Sequence, residues 1–229
     1  MRQEHQPHVI MIRHGHSTGN AGQKTADFTK IPLTEDGQRE ARYVADAIVN
    51  KLGIKGIAGI VVTPYLRTQQ TAEPLVDLTN HSPIVMPGLR EITYLQSSRA
   101  DGKTFDQRAG MRNEFWQLSL QNPNYVDEGE QAVDSVNSFL QRIRTSMGTL
   151  AAMATQNTEG SIVVFSHEFP ISTAVSFAMG KTDDEIIADM CRAQKPVPSI
   201  RNTQAVGFTI ENGEFIFASE SDFDLFPAV

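Results

Sequence analysis

The sequence has 229 residues but only one cysteine, Cys191. A single cysteine cannot form an intrachain disulfide, which excludes a secreted scaffold held together by disulfides. No apolar run approaches the length of a membrane span, and the short run near the N-terminus, Val9–Ile12, is too short for the apolar region of a signal peptide. These absences predict a cytoplasmic protein that has no membrane partner.

The sequence also lacks an excess of positive charge. Its formal net charge is −7, which argues against a nucleic acid as the main partner. A small anionic substrate remains compatible with this charge, because a local cationic pocket can exist in an acidic protein. The contents of 40% hydrophobic and 21% charged residues are typical of a globular domain, and the length suits one domain with or without a small cap. The oligomeric state is left open.

Apolar runs that alternate with amphipathic segments predict an α/β fold. We predict strands at Val9–Ile12, Gly59–Val62, Pro83–Met86 and Ile162–Phe165. Asn212-Gly213 lies between two further apolar stretches and predicts a tight β-hairpin. The expected architecture is a mostly parallel sheet between helices, with an antiparallel hairpin at one edge.

Helical periodicity predicts the elements between these strands. One helix precedes Gly53, and Thr34 is its expected cap. A second covers residues 65–79, and Pro74 is expected to kink or end it. A short helix is expected at Asn113–Leu120, and a long one is expected to start at Gly129-Glu130 and run to about Ala154. Two more helices are expected. One follows Ser166-His167-Glu168 and ends at about Met179, and the other has Thr182 as its N-cap.

Several residues that could carry chemistry follow predicted strands directly. Arg13 and His14 follow the first strand, and His167 follows the strand at Ile162–Phe165. Arg67 follows the strand at Gly59–Val62 at the start of the next helix, and Glu91 follows the strand at Pro83–Met86 after a short loop. Because the carboxyl ends of parallel strands share one edge of a sheet, these side chains are expected to meet there. Arginines bind phosphate oxygens, a neutral imidazole is a nucleophile and a carboxylic acid can protonate a leaving group, so this set predicts phosphoryl transfer.

Five segments in order resemble the histidine phosphatase (phosphoglycerate mutase-like) superfamily. They are Ile12-Arg13-His14-Gly15-His16-Ser17-Thr18-Gly19-Asn20, Leu33-Thr34-Glu35-Asp36-Gly37-Gln38, Thr63-Pro64-Tyr65-Leu66-Arg67-Thr68, Leu89-Arg90-Glu91-Ile92 and Ser166-His167. The resemblance covers nearly the whole chain. It implies a three-layer α/β/α sandwich in one domain, residues 1–229, with a small cap insertion at roughly residues 92–128.

The resemblance also implies residue roles. His14 would be the nucleophile that becomes phosphorylated, and Glu91 would be the general acid that later activates water. Arg13, Arg67 and His167 would hold the phosphate. Asn20 and Ser17 belong to the same predicted phosphate-binding set. No metal and no cofactor are implied.

Two positions differ from the family pattern. His16 occupies a position where Glu or Gln is frequent, and it could add a cation at the mouth of the pocket. Glu168 occupies a position where Gly is usual, directly after His167. A carboxylate there is a rival to Glu91 as the general acid, and we rank it second. We place both residues in the candidate substrate-binding set.

The expected activity is that of a metal-independent phosphatase acting on a small phosphorylated substrate through phosphohistidine at His14. One alternative is a phosphoglycerate-type mutase, and an alternative of another class is a non-catalytic module that binds a phospholigand or phosphoprotein. A divalent metal at His14 and His16 is disfavoured because Arg13 would repel it. The substrate itself stays open. Arg90 is interpreted as a solvated surface residue.

Overall fold

The computed structural model describes residues 8–24, 27–95, 102–104, 106–127, 134–157 and 159–217. Strands and helices alternate through most of these ranges. In chain order they are β1 (Val9–Arg13), α1 (Glu35–Leu52), β2 (Ile57–Val62), α2 (Leu66–Thr79), β3 (Ile84–Val85), α3 (Ala109–Gln121), α4 (Val136–Gln156), β4 (Ser161–Ser166), α5 (Glu168–Ala178), α6 (Asp183–Ala193), β5 (Ala205–Glu211) and β6 (Glu214–Phe217).

The strands form one sheet in the order β3-β2-β4-β1-β5-β6. The four strands from β3 to β1 are parallel, whereas β5 pairs antiparallel with β1 and β6 antiparallel with β5. At the turn of this edge hairpin, Asn212 and Gly213 both have positive φ angles, of 52° and 83°. Such angles suit Asn-Gly in a two-residue hairpin turn, and the predicted hairpin is confirmed.

Helices cover both faces of the sheet because alternate strand residues point to opposite sides. Ile10 and Ile12 pack in one core with Val44 and Ile48 of α1 and with residues of α2. Val9 and Met11 pack in a second core, with residues from α3, α4, α5 and α6. The predicted three-layer α/β/α sandwich is therefore confirmed. No helix in the described part of the chain is long and apolar enough to cross a membrane.

The helix predicted at residues 65–79 is confirmed, and the start of one other helix needs correction. The helix α2 does not end at Pro74 but continues to Thr79, where Asn80 terminates it in a left-handed conformation with φ 56°. The proline removes one hydrogen bond, while buried residues such as Leu75 anchor the helix on the core side. The long helix α4 starts at Val136 and not at Gly129-Glu130, which lie outside the described residues. Ser135 sets this start, because its hydroxyl accepts the hydrogen bond of Ser138 N–H.

Candidate active site

The parallel pairing of β1 with β4 brings two histidines together. Arg13 lies opposite Ser166 in the register, so His14 and His167 follow at the same edge of the sheet. The His14 backbone N–H donates to the carbonyl of Ser166 at 3.0 Å. The two imidazole rings are edge to face, with centroids 5.3 Å apart. The predicted meeting of these residues at one edge is thus observed.

The hydrogen bonds of His14 determine which ring nitrogen carries the proton. Nδ1 lies 2.8 Å from the carbonyl oxygen of Gly15, which can only accept, so Nδ1 must donate. The Nε–H of Arg67 points to Nε2 at 3.0 Å, so Nε2 must accept. His14 is therefore the neutral tautomer with its lone pair on Nε2.

Burial and neighbouring charge keep His14 neutral. The residue is only 4% exposed. Removal from water is the largest cause that lowers the pKa of His14 well below its usual value, and the positive charge of Arg67 lowers it further. The imidazole is then a free base throughout the neutral pH range.

The backbone around His14 is also fixed in place. Gly15 N–H donates to the hydroxyl of Thr71 at 3.0 Å, and the side-chain amide of Asn202 donates to the His14 carbonyl at 2.8 Å. A Cβ on Gly15 would lie 2.7 Å from the carbonyl oxygen of Gly37, so only glycine fits where this loop passes α1. These contacts orient His14 before any ligand binds.

Arg67 is buried beside the histidine. Its second contact is a hydrogen bond of 2.9 Å to the carbonyl of Phe28, and its guanidinium lies 4.8 Å from the ring centre of Tyr65. Burial lowers the pKa of Arg67 to about 10, while the carboxyl of Glu91 opposes that shift. Arg67 therefore still carries a full positive charge at neutral pH.

His167 lies at the end of a chain of hydroxyl groups. Thr68 donates to the carbonyl of Tyr65 at 2.7 Å, so the hydroxyl of Thr63, 2.8 Å away, donates to Thr68. Thr63 must then accept from Nε2–H of His167 at 2.9 Å. Burial, followed by the charge of Arg67, lowers the pKa of His167 well below its usual value. Nδ1 of this neutral ring is buried and has no hydrogen-bond partner among the described residues.

Glu91 contributes a carboxyl group to the same cavity. The residue as a whole is half-buried, but its carboxyl is enclosed by protein atoms, and this burial raises its pKa to about 7. The positive charge of Arg67 opposes the shift, as does the hydrogen bond that Oε1 accepts from Ile92 N–H at 3.0 Å. Near neutral pH this carboxyl can therefore give up a proton or take one up.

Arg13 and Glu168 form an ion pair, with 2.8 Å between Nη1 and Oε2. Arg13 Nη1 also donates to the carbonyl of Ile200, and its Nε is buried without a partner among the described residues. Glu168 Oε1 accepts from the hydroxyl of Ser199 at 2.8 Å and from Ile200 N–H at 3.3 Å. Every partner of the Glu168 carboxylate is thus a donor, and the pair ties Arg13 to the loop before β5.

Of the other predicted binding residues, Ser17 and Asn20 line the cavity and His16 does not. Asn20 Oδ1 accepts from the backbone and the hydroxyl of Ser17 at 3.0 and 2.8 Å. Nδ1 of His16 lies 3.0 Å from the hydroxyl of Thr34, and the backbone N–H of His16 donates to Glu40. The ring thus contacts the start of α1, and a role for His16 at the pocket mouth stays a prediction.

A cavity of about 360 Å³ lies at this site, and seven predicted residues line it: Arg13, His14, Ser17, Asn20, Arg67, Glu91 and Glu168. His167 is fully buried and, like His16, is not among the residues that line it. The sequence did not point to the aromatic and cationic residues of its outer part. Among the residues that the structure describes, the rest of its wall is formed by Gly19, Phe28, Ile31, Tyr65, Ile92, Thr93, Tyr94, Leu95, Arg108, Arg112, Phe169, Gln194, Lys195 and Pro196.

An arginine from α4 supports the segment that carries Glu91. Arg142 donates to the carbonyls of Gly88 and Arg90 at 2.8 Å and to the carbonyl of Glu91 at 3.1 Å. It also pairs with Asp134 at 2.9 Å, and Asp134 in turn pairs with Arg90. Arg90 is thus an ion-pair partner and not the solvated residue that was expected.

We expect the substitution Arg142→Met to destabilise the protein by about 3 kcal/mol, since it removes one of two arginines paired with the buried Asp134 and also three hydrogen bonds to backbone carbonyls. For a chain of this size, that loss should lower the melting temperature by roughly 6 to 12 °C in calorimetry. The control is Arg144→Met on the same helix, where the side chain is 55% exposed and pairs with Asp183 at the surface. This control should change stability by less than about 1 kcal/mol. Equal effects of the two substitutions would contradict a supporting role for Arg142.

The fold and the site together define a class of protein, an α/β/α sandwich in which two imidazoles and two arginines meet at the carboxyl ends of the parallel strands. The sequence model of the histidine phosphatase superfamily (branch 1) matches residues 9–192. The chain belongs to this superfamily.

Similar proteins include both mutases and phosphatases. The chain is 36% identical over 131 residues to the "Probable phosphoglycerate mutase GpmB" of Yersinia pestis, a match that covers 55% of this chain and 56% of that protein. The chain thus spans about half the length of this relative.

Two solved structures share the fold. A phosphoserine phosphatase variant of Entamoeba histolytica in complex with phosphoserine superposes with a TM-score of 0.66 at 20% identity, over 95% of this chain and 98% of that one. A mycobacterial glucosyl-3-phosphoglycerate phosphatase superposes with a TM-score of 0.66 at 17% identity, over 92% of this chain and 95% of that one. At these identities, the likeness supports the shared architecture alone.

Proposed function

We propose that the protein is a phosphatase that hydrolyses phosphate monoesters through a covalent phosphohistidine at His14. The observation that carries the proposal is the fixed tautomer of His14, whose Nδ1–H is held by Gly15 while the Nε2 lone pair lies beside Arg67. A neutral, oriented imidazole next to a permanent cation is prepared to attack a phosphorus atom whose oxygens that cation holds.

In the first step, Nε2 of His14 attacks phosphorus and the bond from phosphorus to the ester oxygen breaks. Protonated Glu91 gives its proton to the departing oxygen, and Arg13 and Arg67 balance the charge of the phosphoryl oxygens. Nδ1 of His167 has no hydrogen-bond partner among the described residues, and in this proposal it accepts a hydrogen bond from a protonated phosphoryl oxygen.

In the second step, water attacks the phosphorus atom of phospho-His14. The carboxylate of Glu91 takes a proton from that water, the bond from phosphorus to nitrogen breaks, and inorganic phosphate leaves. His14 returns to its neutral form and Glu91 to its protonated form, so the cycle is balanced. In this proposal Glu168 keeps Arg13 in place, and Ser17 and Asn20 shape the loop beside the phosphate.

The cap insertion at roughly residues 92–128 is part of the same proposal. Tyr94, Leu95, Arg108 and Arg112 come from this segment and line the cavity. The helix α3 packs against α6, so the segment rests on the main domain. In such an arrangement the sheet edge supplies the chemistry and the cap supplies the substrate preference.

Hydrolysis is expected to continue unchanged in excess EDTA. The positive charges of Arg13 and Arg67 repel a divalent cation and provide the charge that a metal would otherwise supply to the phosphoryl oxygens. The measurement is the initial rate of release of p-nitrophenol from its phosphate ester after dialysis against the chelator. Loss of the rate, with recovery on addition of Mg²⁺ or Zn²⁺, would show that the mechanism is wrong.

A phosphoglycerate-type mutase is the second candidate, favoured by the identity to a protein named as such. Incubation with 3-phosphoglycerate and a bisphosphate primer separates the two, since a phosphatase releases inorganic phosphate and a mutase forms the isomeric ester. A non-catalytic binding module would do neither, and mass spectrometry would find no phosphoryl group on the peptide that contains His14.

A further inference from the structure

Glu168 places a carboxylate in the wall of the cavity that is proposed to bind a phosphate group. It lines that cavity together with Arg13, His14 and Arg67, which we call the inner site. Of the described residues in the wall, Glu91 is the other one that carries a carboxyl group. In the proposed reaction Glu91 is protonated when the ester binds, so Glu168 supplies the negative charge. Such a charge repels a phosphate group and weakens its binding.

Three donors fix the carboxylate of Glu168 in place. Oε1 accepts hydrogen bonds from the hydroxyl of Ser199 at 2.8 Å and from the backbone N–H of Ile200 at 3.3 Å. Oε2 lies 2.8 Å from Nη1 of Arg13, and the Glu168 side chain is only 18% exposed. The carboxylate therefore stays beside Arg13 unless these contacts break.

The two arginines of the inner site differ in the charge that they can offer a phosphate. Arg13 directs Nη1 to Glu168 and to the carbonyl of Ile200, and its Nε is buried without a partner among the described residues. The hydrogen bonds of Arg67 go to His14 and to a backbone carbonyl, which are neutral groups. A carboxylate thus balances part of the charge of Arg13, whereas the hydrogen-bond partners of Arg67 leave its charge intact.

The opposed charges of this ion pair extend into the cavity. Burial is the largest cause of the raised pKa of Glu91, and the ion pair adds two opposed effects, since Arg13 lowers that pKa and Glu168 raises it. A phosphate in the same cavity is subject to the same two charges. Glu168 therefore offsets part of the attraction between Arg13 and the phosphoryl oxygens, and the effect is largest for a doubly charged anion.

We propose that Glu168, acting through Arg13, weakens the hold of the inner site on inorganic phosphate, so that the product of hydrolysis leaves readily. The inference rests on the proposed function, since the ester must be cleaved at His14 to leave phosphate there. The product is bound by the same arginines as the phosphoryl group of the ester. Two arginines with unopposed charge would bind it tightly, and the enzyme would be inhibited by its own product. Glu168 is thus a positioning residue and not a proton donor.

The test measures inhibition by inorganic phosphate during hydrolysis of p-nitrophenyl phosphate. Glu168→Gln keeps the size of the side chain and removes its charge. The inhibition constant of phosphate should therefore fall by about tenfold, the order of magnitude for one charge in a partly buried site. An unchanged or higher constant would overturn the proposal. A residue that served only to hold Arg13 in place would weaken phosphate binding when substituted, so the direction of the change distinguishes the two roles.

A conservative variant separates the charge of Glu168 from its shape. Glu168→Asp changes the shape but keeps a negative charge near Arg13, so its inhibition constant should stay close to the wild-type value. The matched control is Asp46→Asn, which also removes one negative charge, from an exposed position of α1 that does not line the cavity. This control should leave inhibition unchanged. A fall in either Glu168→Asp or Asp46→Asn equal to that in Glu168→Gln would overturn the proposal.

A binding measurement separates this inference from the proposed reaction. Calorimetric titration with inorganic phosphate needs no turnover, and Glu168→Gln should bind phosphate about tenfold more tightly than the wild type. If hydrolysis depends on His14 but Glu168→Gln binds phosphate no more tightly, the role of Glu168 alone is wrong. If Glu168→Gln binds phosphate more tightly but the wild type hydrolyses no ester, the proposed reaction alone is wrong.

Discussion

Substitution of His14 by alanine is expected to lower the hydrolysis of p-nitrophenyl phosphate by about 10⁴-fold or more, because it removes the attacking atom itself. No nearby group replaces it. His167 lies 5.3 Å away between ring centroids, but its Nε2–H is committed to Thr63. The measurement is the initial rate under saturating and limiting substrate.

The control for this experiment is a histidine outside the site. His81 lies before β3, and its Nε2 is 3.0 Å from the carbonyl of Ile57. We expect His81→Ala to retain the wild-type rate. Circular dichroism and thermal melting of both variants separate loss of chemistry from loss of folding. If His14→Ala were folded and as active as the wild type, the phosphohistidine mechanism would be wrong.

Much of the fold could be predicted from the sequence because its signals are local. The apolar run from Val9 to Ile12, the cap at Thr34 and the Asn212-Gly213 turn are each recognised from neighbouring residues in the chain. The meeting of His14 with His167 was also predictable. Both histidines follow parallel strands that are neighbours in the sheet. The pairing of Arg13 with Ser166 then brings the two next residues, His14 and His167, to the same level.

The parts that could not be predicted depend on contacts between distant residues. Asp134 pairs with Arg90, which is 44 positions away, and nothing local marks that pair. A signal did exist for Arg142, since it lies three residues after the buried Phe139 and thus beside the apolar face of α4. The position of the His16 ring is set by its contact with the hydroxyl of Thr34. The spacing of residues along the chain does not show which part of the structure such a side chain will contact.

The choice between Glu91 and Glu168 illustrates the same limit. Both carboxylates follow a strand of the parallel sheet, Glu168 after β4 and Glu91 after β3, so sequence position alone made them rivals. Their surroundings differ. Glu168 accepts hydrogen bonds from Ser199 and Ile200 and pairs with Arg13, whereas the enclosed carboxyl of Glu91 has a pKa of about 7. Only the second environment suits a group that must be protonated when the ester oxygen leaves.

Substitution of Glu91 by glutamine is expected to lower kcat/KM for an alkyl phosphate by about 10² to 10³-fold, the usual effect of losing a general acid. The effect should depend on the leaving group. An alkoxide needs a proton to depart, whereas p-nitrophenolate is stable without one, so the loss with p-nitrophenyl phosphate should be several-fold at most. Equal losses with the two esters would indicate a binding defect instead.

The raised pKa of Glu91 determines the direction in which kcat/KM changes with pH. Burial raises the pKa of Glu91 to about 7, so the acid form dominates below that pH and disappears above it. Wild-type kcat/KM for an alkyl phosphate should therefore fall as the pH rises through about 7. On the acidic side, the lowered pKa of His14 keeps the nucleophile neutral, so the decline there should begin well below the usual pKa of histidine.

Comparison of two glutamine variants then decides which carboxyl is the acid. Glu91→Gln should lose the fall in kcat/KM near neutral pH, because glutamine has no proton to release. Glu168→Gln should keep that fall, since in the proposed mechanism Glu168 is not the proton donor and its carboxylate instead contacts Arg13, the hydroxyl of Ser199 and the backbone N–H of Ile200. If the fall disappears in Glu168→Gln and persists in Glu91→Gln, the acid is Glu168. In that case the ion pair with Arg13 must open before each proton transfer, which would couple catalysis to movement of the loop that carries Ile200.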